Sequence, residues 1–129
     1  MSEPVWLPLE VILALHDRLL ARFGGAEGIR DQGMLESALG KPRQLYHYGE
    51  PSVFDLAASY AFGVVKNHPF IDGNKRTGFM SAYTFLGVNG YDLLAPEEEA
   101  VVQTLGLASS AVSEADYAVW LKERSVEKG

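Results

Sequence analysis

Ten consecutive residues of this chain concentrate its chemically useful side chains: His68-Pro69-Phe70-Ile71-Asp72-Gly73-Asn74-Lys75-Arg76-Thr77. Histidine, with an ordinary pKa of about 6.5, is the side chain best suited to move a proton at neutral pH. Asp72 offers a hard oxygen ligand, and magnesium commonly takes one or two carboxylates together with substrate phosphates. Lys75 and Arg76 break a local rule. They fall in the first turn of a helix expected to start at Asn74, where the helix dipole disfavours cations. An anion bound at that helix start would resolve the conflict, because the free N–H groups near Gly73, Asn74 and Lys75 would cradle a phosphate. Gly73 lets the backbone approach closely. A base, a metal carboxylate, an anion cradle and two cations are the parts that phosphoryl transfer requires.

Each residue alone has a plainer role. Asp72 or Asn74 can cap a helix, His68 can end one with a bond to a carbonyl, and Lys75 and Arg76 can be solvated surface charges. Their concentration between two apolar helices favours a site, since a connection held at both ends is a rigid mount.

The elements that must position these residues read as helices. Ser52, with Asp55 three residues on, opens one that runs to about Asn67. Val53, Leu56, Ala57, Tyr60, Ala61 and Val64 form one stripe, and Phe54, Ala58, Phe62 and Val65 cover another side, so this helix should be largely buried. His68-Pro69 breaks it. A second apolar helix spans about 74 to 88, with Phe79, Ala82, Tyr83 and Leu86 in one stripe, and Asn89-Gly90 closes it. An earlier helix covers 9 to 23 and stops at Gly24-Gly25. Asp31 caps a short helix through Met34, Leu35, Ala38 and Leu39, ended by Gly40. Residues 40–51 read as a loop. Pro96 with Glu97, Glu98 and Glu99 opens a further helix, and Ser113 to Asp116 the last. Val5-Trp6-Leu7 reads as a short strand or a packed arm. The expected fold is a compact all-α bundle with at most a small β element, near the N-terminus or within 40–51.

Composition bounds the function. The 129 residues make one domain, 1–129, and 47% hydrophobic with 22% charged residues is the balance of a soluble globular protein. The absence of cysteine excludes disulfides, a thiol nucleophile and Cys-ligated zinc. A formal net charge of −6 disfavours general binding to nucleic acid. No targeting segment is visible, and the most apolar stretch, 53–65, carries Asp55 and is too short to span a bilayer. The expected location is the cytoplasm. No Gly-x4-Gly-Lys-Ser/Thr or Gly-x-Gly-x-x-Gly phosphate loop is present.

The run from His68 to Thr77 resembles the signature of the Fic/Doc superfamily, and Lys75 within it resembles the death-on-curing (Doc) branch, the toxins of toxin–antitoxin pairs. Ile12, His16 and Arg18, the 24–31 run ending Gly-Ile-Arg-Asp, and Leu35-Glu36-Ser37-Ala38 are also Doc-like. The resemblance implies a Fic-type helical fold. In that family the histidine deprotonates a target hydroxyl, the acid holds magnesium and the Gly-Asn loop binds phosphates, roles that map onto His68, Asp72, Gly73 and Asn74. Adenylylating members typically have glycine where this chain has Lys75, and arginine where it has Phe79. Doc proteins share the lysine and lack that arginine. They are similar to kinases that phosphorylate a threonine of elongation factor Tu and stop translation. The implied activity is therefore phosphate transfer from ATP with Mg2+, with Lys75 and Arg76 completing the phosphate cradle. Lys66 occupies a place often basic in Doc-like chains and is a weaker candidate for a phosphate contact; its plainer role is a cation at a helix C-terminus. The alternatives are an adenylyltransferase and a catalytically silent module that holds a partner peptide.

His16-Asp17 is a dipeptide found in metal phosphohydrolases, but no histidine precedes it, so a buried, hydrogen-bonded His16 is the expectation. Tyr46, His47 and Tyr48 are either a flap that docks a target, as the resemblance implies, or ordinary aromatic packing. Some Fic proteins block their own site with a Ser/Thr-x-x-x-Glu-Gly/Asn helix. Here Glu27-Gly28 is preceded by Phe23 at the required place. The expectation is inhibition in trans by a small antitoxin, held largely by apolar anchors.

Overall fold

The computed structural model describes residues 2–129. Among them are six helices: α1 (Leu9–Phe23), α2 (Gln32–Tyr48), α3 (Val53–Asn67), α4 (Asn74–Val88), α5 (Glu97–Ser109) and α6 (Glu114–Glu123). Two short strands, β1 (Tyr91–Leu93) and β2 (Ser125–Glu127), pair antiparallel. The fold is all-α, as its hydrophobic periods require.

α3 is the centre. Ser52 Oγ accepts from Asp55 N–H, and the Asp55 carboxylate accepts from Ser52 N–H, so two orphan donors are satisfied reciprocally. Leu56, Ala57, Ala58, Tyr60, Ala61, Val64 and Val65 are all buried, a helix apolar nearly all round. It packs against α2, α4 and α6. Small residues set how close the neighbours come. A Cβ on Gly63 would lie 3.0 Å from Ala38 Cβ and 3.2 Å from the Ala38 carbonyl oxygen on α2. A Cβ on Gly78 of α4 would lie 2.7 Å from a Val65 methyl.

Three expectations change. Residues 40–48 are not a loop: α2 runs through Gly40 and Pro42 to Tyr48. Pro42 cannot donate to the Ala38 carbonyl. The turn survives because α2 buries Leu35, Ala38 and Pro42 against α3, and packing outweighs the missing bond. The small β element is not near the N-terminus or in 40–51; it joins the segment after α4 to the C-terminus. Pro96 stands one place earlier than expected, as the N-cap of α5 rather than its first residue. Of the two readings for Val5-Trp6-Leu7, the packed arm holds. Asn89 accepts from Val5 N–H and donates to Val5 O, and Leu7 N–H donates to the Tyr60 hydroxyl.

Among the described residues no helix is long and apolar enough to cross a membrane. The α5–α6 side is closed by a buried hydroxyl pair, Thr104 and Tyr117, 2.9 Å apart.

Two predictions follow from this packing. Gly63→Ala should destabilise by about 1–3 kcal/mol, because backbone atoms of α2 are in the way. Gly40→Ala meets nothing within 4 Å and should stabilise by about 0.5–1 kcal/mol, as for any open helical site. Urea unfolding of both variants checks the opposite signs. Burial also pushes the Tyr117 hydroxyl up to about 12. Its contribution to stability is complete below pH 10, where an unfolded tyrosine keeps its proton, and is lost as pH rises through the native value. The urea midpoint should fall from pH 10 upward, with about 2 kcal/mol lost by pH 12 from this group, and Tyr117→Phe should flatten that slope.

Candidate active site

α3 ends and α4 begins within seven residues, and nearly every backbone group between them is tied down. His68 closes α3 with left-handed backbone, φ 52° and ψ 53°, its N–H donating to Val64 O. Gly73, at φ 80°, is the N-cap of α4, and no side chain caps that helix. Neither Asp72 nor Asn74 is a cap. The Asn74 side chain turns inward and is buried, accepting from Phe70 N–H at 2.9 Å and donating to Phe70 O at 2.9 Å. What Asn74 offers an anion is therefore its backbone N–H. Phe70 is buried and stacked on His16, ring centroids 3.8 Å apart. His16 Nε2–H donates to Asp72 O at 2.8 Å, which accounts for this buried histidine as a structural group.

The segment 24–31 lies across the same loop. Ile29 and Phe70 form a β-bridge, and Ile71 N–H donates to Gly28 O. Arg30 and Asp31 N–H both donate to Pro69 O. Asp31 then caps α2 through Met34 N–H. Asp72 Oδ1 accepts from Gly73 N–H at 2.8 Å and Oδ2 from Ala26 N–H at 3.2 Å. Gly25 sits at φ 124°, and a Cβ there would lie 2.8 Å from Asp72 Oδ2. The carboxylate thus rests against bare backbone.

His68, Asp72, Gly73, Asn74, Lys75 and Arg76 all line one cleft of about 630 Å3. Its other walls are largely apolar: Leu19 and Phe23 of α1, Phe79 and Tyr83 of α4, Val101 and Leu105 of α5. The expected core stripe of α4 is therefore divided. Ala82 and Leu86 are buried, whereas Phe79 and Tyr83 face the cleft. The Arg76 guanidinium lies over the Phe23 ring, 4.3 Å from its centroid. Among the described residues, the Lys/Arg–carboxylate ion pairs are Arg124–Glu99 and Lys128–Asp92, so neither Lys75 nor Arg76 is neutralised within the chain.

Lys66 is not brought to this cleft. Its ammonium donates to Ala108 O at 3.1 Å and to the Ser110 hydroxyl, at the C-terminal end of α5. The unpaired carbonyls of that helix end attract it. The aromatic run at 46–48 is also elsewhere. Tyr46 packs edge-on against Trp6, Tyr48 is exposed, and none of the three lines the cleft. The residues that reading by chemistry missed are Gly25, Ala26, Phe23 and Arg30. Gly25 and Ala26 act through backbone, Phe23 through its ring and Arg30 through its guanidinium, and the signal for all of them but Phe23 was the Doc-like 24–31 run.

The family model for the Fic/DOC family matches residues 6–86. The chain belongs to the Fic/Doc family. The matched span carries every loop residue of the site and ends short of α5, which supplies one wall of the cleft. The protein kinase doc of Escherichia phage P1 is 34% identical over 114 residues, covering 88% of this chain and 90% of that protein. The toxin Doc of Mycolicibacterium smegmatis is 42% identical over 76 residues, covering 57% of this chain and 58% of that protein. These relatives place the chain on the death-on-curing branch of Fic/Doc proteins.

Asn74→Ala removes both bonds to Phe70 and leaves two buried backbone groups without a partner. It should lower stability by about 1–3 kcal/mol. It should also speed hydrogen exchange of the Phe70 amide far more than that of Val64 in α3, which amide-resolved exchange measures.

Proposed function

We propose that this Fic/Doc chain is a Doc-type toxin that transfers the γ-phosphate of a magnesium–nucleoside triphosphate, ATP in the first instance, to a protein hydroxyl. The observation that carries the proposal is that His68, Asp72 and the cation-bearing first turn of α4 line one cleft. The relative that covers most of the chain is described as a protein kinase.

The residues fit such a ligand. The first turn of α4 contains no acid and no side-chain cap. Among the described residues no acceptor is placed on the N–H groups of Asn74, Lys75 and Arg76. Phosphate oxygens complete these donors and neutralise the two cations. Asp72 uses one lone pair of each oxygen on backbone N–H and keeps the others. No group of three or more metal-ligating side chains gathers among the described residues, so the fitting ion is one that draws its other ligands from phosphate and water, as magnesium does. Asp72 would hold the magnesium, which would supply positive charge to offset that of the phosphates. His68 accepts the proton of the target hydroxyl as its oxygen attacks phosphorus, and the nucleoside diphosphate leaves. Lys75 and Arg76 hold the charge that develops on the transferred group.

Two residues favour phosphate over AMP. Lys75 places a long cation where adenylylating members have bare glycine, and Phe79 puts an apolar ring in the cleft where they have arginine. Both disfavour the placement that exposes the α-phosphorus. The first target to examine is a threonine of elongation factor Tu, whose modification would stop translation in the cytoplasm. The apolar cleft walls on α4 and α5 suit a helix of a small antitoxin that blocks the site in trans.

Incubation with elongation factor Tu and ATP labelled at the α or the γ position tests this reading. Label should arrive from the γ position alone. Label from the α position only would replace it with AMP transfer, and label from neither would favour a silent binding module. His68→Ala should cut transfer by about 10²–10⁴-fold with an unchanged unfolding midpoint, since its side chain serves the cleft rather than the core. Asp72→Ala should weaken magnesium-dependent nucleotide binding by calorimetry, and equal binding with and without metal would show that Asp72 has no such role.

A further inference from the structure

His68 stands in a backbone conformation that its own sequence opposes twice. Left-handed φ and ψ carry a steric penalty for any residue with a Cβ. Proline at the next position drives a residue toward extended backbone instead. A conformation of this kind persists only where the surroundings over-determine it. The left-handed turn matters because it reverses the chain at the end of α3 while leaving the His68 side chain on the cleft.

One side chain grips both peptide units of that turn. Arg30 Nε–H donates to His68 O at 2.6 Å, and Arg30 Nη2–H donates to Asn67 O at 2.9 Å. These are two successive carbonyls at the C-terminal end of α3, where partners are lacking and a cation is favoured. The planar fork of a guanidinium suits two acceptors at once, and lysine has no equivalent. The backbone of Arg30 is itself fixed, its N–H donating to Pro69 O at 2.7 Å. Arg30 therefore holds carbonyls 67, 68 and 69 from a single residue. It does not line the cleft, so it acts on His68 and not on a ligand.

We propose that Arg30 is a positioning residue: its guanidinium fork clamps the Asn67 and His68 carbonyls, holds His68 in the left-handed turn, and so aims the imidazole at the target hydroxyl. The catalytic part of this statement rests on the phosphotransfer reading above; the structural part does not.

Arg30 is exposed, so its replacement should leave the fold intact. Arg30→Met should lower kcat for transfer by about tenfold to a hundredfold, the scale of an ångström-sized misplacement, and leave the KM for ATP within about twofold, because the α4 cradle is untouched. Arg30→Lys keeps the charge without the fork and should recover only part of the loss. A crystal structure of Arg30→Met should show His68 out of the left-handed region or its ring withdrawn from the cleft. Unchanged kcat, a loss confined to KM, or His68 with positive φ and its ring in place would each overturn the proposal. If the wild-type chain transfers nothing, the phosphotransfer reading fails, and the His68 backbone in the Arg30→Met crystal still decides whether Arg30 holds the turn.

Discussion

The pairing of the Asn74 side chain with both backbone groups of Phe70 is the constraint on which the site depends. A buried amide that accepts from one N–H and donates to the carbonyl of the same residue copies a strand-like pairing within four positions of sequence. It closes the loop between α3 and α4 from inside the core, where water cannot compete for the bonds. With the Phe70 ring buried against His16, the inner side of the loop is fixed. The outer side is left to His68, Asp72 and the two cations.

The chain divides its work between two segments that meet at this loop. The 67–77 run carries the groups with chemistry. The 24–31 run carries almost none, yet it supplies an N–H to Asp72, a pair of N–H groups to Pro69 and a carbonyl to Ile71. Its left-handed glycines let it lie close enough to do so, and the contact at Gly25 shows how little room there is. Asp31 then starts α2, so the strap is anchored at once to the bundle. The acid is oriented by backbone donors, which have no rotamers to lose.

The cleft sets two cations among apolar walls in an acidic protein. The whole chain carries −6, yet the first turn of α4 presents two cations with no internal counter-ion. Phe23 holds one of them over its ring, keeping the charge at the cleft without a carboxylate that would compete with a phosphate. The apolar walls on α4 and α5 are the price of that arrangement: Phe79, Tyr83, Val101 and Leu105 stay outside the core.

Much of this was legible in the sequence. Both ends of α1, α3 and α4, the Ser52–Asp55 cap, the buried α3 and the loop bearing His68 and Asp72 follow from local rules: periodicity, capping and the break at a proline. The family followed from a ten-residue run that the comparisons support. Local rules failed where distant packing overrode them. Gly40 read as a helix end and 40–51 as a loop because nothing nearby in sequence reveals that α3 lies against that face. Phe79 and Tyr83 read as core because period alone cannot separate a buried stripe from a cleft wall. Lys66 read as a weaker candidate for a phosphate contact because the resemblance puts a basic residue at its place, and nothing in the sequence shows that the end of α5 lies beside it to draw it away. The sequence by itself determined which groups with chemistry exist and which helices flank them. Only the tertiary structure decided which way each points, because the bonds that turn them come from segments far along the chain, Arg30 on the His68 carbonyl, Ala26 on Asp72 and the Ala108 carbonyl on Lys66, and no local propensity encodes those.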